Sequence, residues 1–241
     1  ADDEALLAQS VDELGTRADG MTLEVRHASV PLFQEGSTEM PADVFAAEDG
    51  ALSPMSGDSF AEVVGSALSN MDSTVDVSAY HLDIESASDA IATVINDDPL
   101  LFYVSGADAP MLVDAQTGIV QEIWLGEMYT LTPQEAQSQL DAIEVELDKV
   151  MAFVDEAPAG ATAEETSVNK MLAAEQYIVL NYDYDQSLSI HDAYSFFTQK
   201  TGVCQAYMLA YQIILDRLGI INSTVVNSNH TWNMVKLDSG W

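Results

Sequence analysis

The chain has a single cysteine, Cys204, in the run Thr201-Gly202-Val203-Cys204-Gln205-Ala206-Tyr207, and Asn229-His230-Thr231-Trp232-Asn233 follows one helix and one strand later. One cysteine with a downstream histidine, joined in space and not in sequence, is the residue pair of a thiolate nucleophile and its base. A free thiol ionises near a pH of about 8.5, so chemistry at neutral pH needs a helix N-terminus and an imidazolium to favour the thiolate. Taken singly, a lone cysteine is most often a small buried hydrophobe and a lone histidine a satisfied core residue. The flanking pattern is what sets Cys204 and His230 apart.

Those two residues need elements to hold them. Gly202 breaks the preceding segment, and from Cys204 onward Tyr207, Met208, Tyr211, Leu215 and Leu218 recur at three- and four-residue spacing up to Gly219. The spacing predicts a helix with Cys204 in its first turn and Gly219 at its end. After His230, Trp232 and Met234 alternate with Asn233 and Val235, which predicts a strand with one face packed inward. A histidine at the edge of such a strand can face a cysteine at a helix tip. Tyr207, Tyr211 and Trp232 fall at helical or strand spacing and read as core before they read as a substrate groove. Asp192, after His191, reads as the start of a helix; His27 and His81 have no partner pattern, and none of these histidines is given a role.

Gly202-Val203-Cys204-Gln205-Ala206-Tyr207, the helix ending Leu218-Gly219-Ile220, and His230-Thr231-Trp232-Asn233-Met234-Val235-Lys236-Leu237-Asp238 together resemble the bacterial transglutaminase-like superfamily. Asn181-Tyr182-Asp183-Tyr184-Asp185 and Ala193-Tyr194 look like that domain's entry segment, so the likeness covers roughly residues 166 to 241. It implies a papain-like core in which Cys204 attacks an amide carbonyl to form a thioester and His230 shuttles the proton. Ala206 stands where the family usually has glycine, and Thr231 where alanine is common. The family's orienting aspartate is expected about fifteen residues after the histidine, beyond Trp241, by analogy alone. Asp238 is a poor substitute, because Leu237-Asp238-Ser239-Gly240 reads as a hairpin turn. Two expectations follow: the parent chain continues and supplies the aspartate, or this is a copy without activity.

The rest of the chain reads as follows. Leu23, Val25 and His27 alternate as a strand; Phe60, Val63, Val64, Ala67 and Leu68 mark one amphipathic helix, and Ala87, Ala90, Ile91, Val94 and Ile95 another that ends before Pro99. Strands are expected at Leu100 to Val104, Met111 to Val113, Ile119 to Leu125 and Met128 to Leu131, with a turn at Gln116-Thr117-Gly118, as a small meander. Thr132-Pro133-Gln134-Glu135 has capping-box spacing ahead of a stripe of Leu140, Ile143, Leu147, Val150, Met151 and Val154. Ala157-Pro158-Ala159-Gly160-Ala161 is linker composition, and Thr162 with Glu165 opens a second capped helix carrying Val168, Met171, Leu172, Ile178 and Val179. The expected architecture is α+β throughout. An α+β domain spans residues 1–159, and a transglutaminase-like domain of helices with a first few strands spans 160–241.

Seven Lys and Arg stand against 40 Asp and Glu among 241 residues, a formal net charge of -33. Such a surface repels phosphate backbones and anionic lipid, which argues against nucleic-acid and membrane-surface partners. No run of about eighteen apolar residues predicts a membrane span. Asn96-Asp97-Asp98 and Tyr182-Asp183-Tyr184-Asp185 lack the spaced oxygen ligands and glycine of a calcium loop, so neither a metal nor another cofactor is expected. A start at Ala1-Asp2-Asp3-Glu4 without methionine fits a mature secreted or surface protein, as it would a trimmed chain. Two functional classes stand side by side: a thiol hydrolase or acyl transferase acting on a protein or peptide substrate, and a binding or structural module that reuses the fold.

Overall fold

A computed structural model describes residues 21–30, 59–106, 108–227, 230–238, 240 and 241. They divide into two compact units, one of residues 21–30 and 59–130 and one of residues 131–241. The division falls between Thr130 and Leu131, so the helix after Thr132 belongs to the second unit.

Among the described residues the first unit has four antiparallel strands, β1 (Leu23–Ala28), β2 (Val75–Asp76), β3 (Ala109–Asp114) and β4 (Val120–Ile123), in the order β1-β3-β4-β2. Of these four, only β3 and β4 form a hairpin. Asp114 accepts from the Gln116 amide and the Thr117 hydroxyl, and Gly118 takes a φ of 75° that favours glycine. The expected meander is therefore a hairpin flanked by two strands from earlier in the chain. Leu100 to Val104 is not a strand either: Pro99–Leu101 is a 3-10 turn, and Val104 keeps a single bridge to Tyr129. The Asp98 carboxylate accepts the Leu100 amide at 2.9 Å and Pro99 has no amide for a ladder, so local capping overrides the apolar run. The segment from Met128 to Leu131 likewise pairs only at Tyr129. Helices α1 (Phe60–Ser69) and α2 (Ile84–Asp97) pack on each other through the apolar faces read from their spacing, burying Phe60, Val64, Leu68, Ile91 and Ile95.

The second unit runs α3 (Pro133–Val154), α4 (Ala163–Asn181), β5 (Asp183–Tyr184), α5 (Ala193–Gln199), β6 (Thr201–Gly202), α6 (Cys204–Arg217), β7 (Asn222–Val226) and β8 (Thr231–Val235). The capping box of Thr132 and Glu135 forms as its spacing predicts, and Ile143, Leu147, Val150 and Val154 are buried where α3 meets α4 and α5. On α4 only Ala174 and Ile178 are fully buried, while Leu172 and Val179 are 56% and 71% exposed. Apolar residues lie all round that helix, more than its packing against α3 and α6 can cover. Strands β5 and β6 pair in parallel, β7 and β8 antiparallel. Helices and mostly antiparallel strands, segregated in this way, make the α+β class expected from the sequence.

Candidate active site

Cys204 is the first residue of α6 and is half-buried. Its position depends on how closely Gly202 approaches its neighbours. A Cβ at Gly202 would lie 2.7 Å from the Ala206 Cβ and 2.8 Å from the Phe196 ring, so only glycine lets β6 turn directly into the helix. Five of the six described α-helices are capped by a side-chain oxygen, from Ser59, Asp83, Thr132, Thr162 and Asp192; at α6 the cap position is Val203, which offers none. The helix that carries the cysteine thus leaves its first amides without a side-chain acceptor, at the positive end of its dipole.

The turn ahead of Cys204 is fastened to a second loop. Asp185, 8% exposed, accepts from the Ser187 hydroxyl at 2.6 Å, the Ser187 and Ser189 amides at 2.8 and 2.7 Å, and the Ile190 amide at 3.0 Å. The Ser187 hydroxyl and these amides hold its carboxyl well below the ordinary range. The loop so folded gives its Ile190 carbonyl to the Val203 amide at 3.0 Å, and the Asp185 amide donates to the Gly202 carbonyl at 3.0 Å. Behind it, Lys200 is ion-paired with Glu146 of α3, donates to the Tyr182 hydroxyl at 3.0 Å, and lies 4.6 Å over that ring. Burial raises the Glu146 carboxyl, but Lys149 and Lys200 outweigh it and leave the group ionised more readily than usual. Tyr211 ties α6 to α4 by donating to the Met171 carbonyl at 3.0 Å; burial, with Glu175 nearby, pushes its hydroxyl up to about 12.

His230 is placed by the return of the chain. Gly219 has a φ of 67°, the Ile220 amide donates to the Leu215 carbonyl at 2.9 Å, and the Asn222 amide side chain donates to Asp216 at 2.7 Å. These contacts start β7 at the C-terminal end of α6 and send it back. In the antiparallel pair Asn222 faces Val235 and Val226 faces Thr231, so β8 runs the same way as α6 and begins at its N-terminal end. The Asn233 side chain then pins the two elements together by donating to the Met208 carbonyl at 3.0 Å. From Met208 back to Cys204 is about 6 Å of helix, and from Asn233 back to His230 about 10 Å of strand. Cys204 and His230 therefore stand at one end of a single helix–strand pair.

Strand alternation decides which side chains share a face. Asn233 faces α6, and so does Thr231 two residues earlier, its hydroxyl buried without a hydrogen-bond partner. Trp232, 39% exposed, lies on the opposite face, and the exposed His230 ring stacks on it at 5.9 Å and 25°. The inward face expected for Trp232 is thus taken by Asn233, because the amide finds an acceptor on α6 and fixes the register. Among the described residues no hydrogen bond joins the His230 ring to Cys204. The elements bring the two residues to one end, and the ring rests on Trp232. Leu237 and Gly240 close the turn read from the sequence with hydrogen bonds of 2.9 and 3.0 Å, so Asp238 lies in that turn as expected. A cavity of about 250 Å³, lined by Gly65, Val94, Asp98 and Leu101 among others, lies in the first unit and not at Cys204.

Gly202, Asp185 and Asn233 are the site-building residues whose function the sequence reading missed. The glycine carried a signal, as a non-helical residue two before the cysteine. Asp185 and Asn233 had only their place in the motif.

Residues 152–241 match the family model described as Transglutaminase-like superfamily. The match runs from the end of α3 through β8 and takes in Cys204, Asp185 and His230, so the second unit carries a transglutaminase-like domain. No curated protein matches the chain.

Proposed function

We propose that the transglutaminase-like domain is a thiol enzyme acting on peptide amide bonds through a thioester on Cys204. The Cys204 thiolate attacks the amide carbonyl, the amine leaves with a proton delivered by the His230 imidazolium, and water or a second amine then resolves the thioester. Amides of the first turn of α6 stabilise the oxyanion of the tetrahedral intermediate. The observation that carries this reading is the half-buried Cys204 at the one described α-helix start whose cap residue has no side-chain oxygen, at the same end as His230. An extracellular or surface setting belongs to the same proposal and rests on the acidic composition; fractionation of the producing cells tests it.

An activated ester probes the chemistry without knowledge of the substrate. With p-nitrophenyl acetate, Cys204 expels one equivalent of p-nitrophenolate as a burst and gains one acetyl group by intact mass. Cys204→Ala should abolish both. A second reading is favoured by the His230 ring resting on Trp232: a binding or structural module that keeps the fold without turnover. That reading predicts no burst and the same slow acetylation with and without His230.

A further inference from the structure

Beside the Cys204 turn lies an aromatic face that the thioester chemistry does not use. The parallel register of β5 and β6 sets Tyr184 opposite Gly202, two residues ahead of Cys204. Tyr207 lies three residues after the cysteine on α6, on the same helix face. Their rings stack at 6.2 Å and 20°, and the inner edge of Tyr207 is held by Phe196 at 4.7 Å. Tyr184 is 48% exposed, so the stack is fixed from behind and open in front. One residue before Tyr184 on β5, the exposed Asp183 makes no ion pair among the described residues, and its charge contributes, after burial, to pushing the Tyr207 hydroxyl up.

We infer that Tyr184, Tyr207 and Asp183 form a specificity subsite for an arginine side chain near the amide that Cys204 attacks, an inference that rests on the proposed nucleophile. A flat guanidinium stacks on the negative face of a tyrosine ring and offers paired donors to a carboxylate, which neither an apolar nor an acidic side chain can do. The formal charge of -33 draws cationic segments toward the molecule, and the tyrosine face, with a carboxylate that makes no ion pair among the described residues, gives them one place to settle.

The test titrates the full chain carrying Cys204→Ala with acetyl-Gly-X-Gly-amide, X being arginine, lysine, norleucine or glutamate, followed by the NMR signals of the tyrosine rings. The arginine peptide should bind about tenfold more tightly than the norleucine peptide, with lysine between them. Tyr184→Leu keeps the net charge and an apolar side chain but removes the ring, and should abolish the preference; Asp183→Asn should reduce it to a few-fold. Equal binding of arginine and norleucine, or an arginine preference that survives both substitutions as diffuse attraction, overturns the subsite. The acylation burst of the wild-type chain, measured in parallel, separates the two ideas. A burst without arginine preference sinks the subsite alone, and a preference without a burst sinks the nucleophile and leaves a binding face.

Discussion

At Gly202 a single hydrogen in place of a methyl group decides whether Cys204 can occupy the first turn of α6. A methyl there would meet Ala206 and Phe196 inside 3 Å, both fully buried, and overpacking of this kind costs about 1–3 kcal/mol. Gly202→Ala should lower the melting temperature and slow alkylation of Cys204, whereas Gly219→Ala, in open space, should cost stability through its φ of 67° and leave the thiol unchanged. Asp185 makes a pH-dependent contribution. Its folded pKa lies below the unfolded value of about 3.9, so the stabilisation is fully present above that pH and is lost only as the pH falls further, through the folded value. Thermal melts of wild type and Asp185→Asn should therefore differ by a constant amount between pH 5 and 8, and converge below about pH 4. A gap that stays constant into acid would show that the carboxylate charge is not what holds the loop.

At the scale of elements, legibility in the sequence followed how local the determinant was. The Thr132 capping box, the helix ahead of Gly219 and the turn at Gly118 rest on residues within four positions of each other, and all formed as expected. Leu100 to Val104 misled because an apolar run says nothing of the Asp98 side chain that caps the turn. The inward face of β8 misled for a tertiary reason: Asn233 seeks a carbonyl on α6, 25 residues away, and an alternating pattern cannot reveal a polar residue packed inward. Asn233→Ala should loosen this pairing, destabilising the domain by about 1 kcal/mol and lowering hydrogen-exchange protection in β8 and the N-terminal half of α6. Unchanged protection there would show that apolar packing alone joins helix and strand. Of the candidate site, the helical turn that carries Cys204 was legible because motif and spacing agreed, while the loop of Asp185 was not, its hydrogen bonds being spread over backbone amides.

At the scale of the whole molecule, the 40 acidic residues act together. With seven Lys and Arg to offset them, the compact state carries strong self-repulsion, which screening relieves. Melting temperature should rise steeply between about 0.01 and 1 M sodium chloride, as the Debye length falls from about 30 to 3 Å, and rise equally in potassium chloride. A flat dependence would mean that the acidic surface is spaced widely enough not to oppose folding.

The central claim is the proposed one, that Cys204 acts as nucleophile with His230 as its proton carrier. The rate of Cys204 alkylation by iodoacetamide at neutral pH, compared between wild type and His230→Ala, tests it most directly. We predict that His230→Ala slows the alkylation about tenfold or more. An equal rate in the two proteins would contradict the claim.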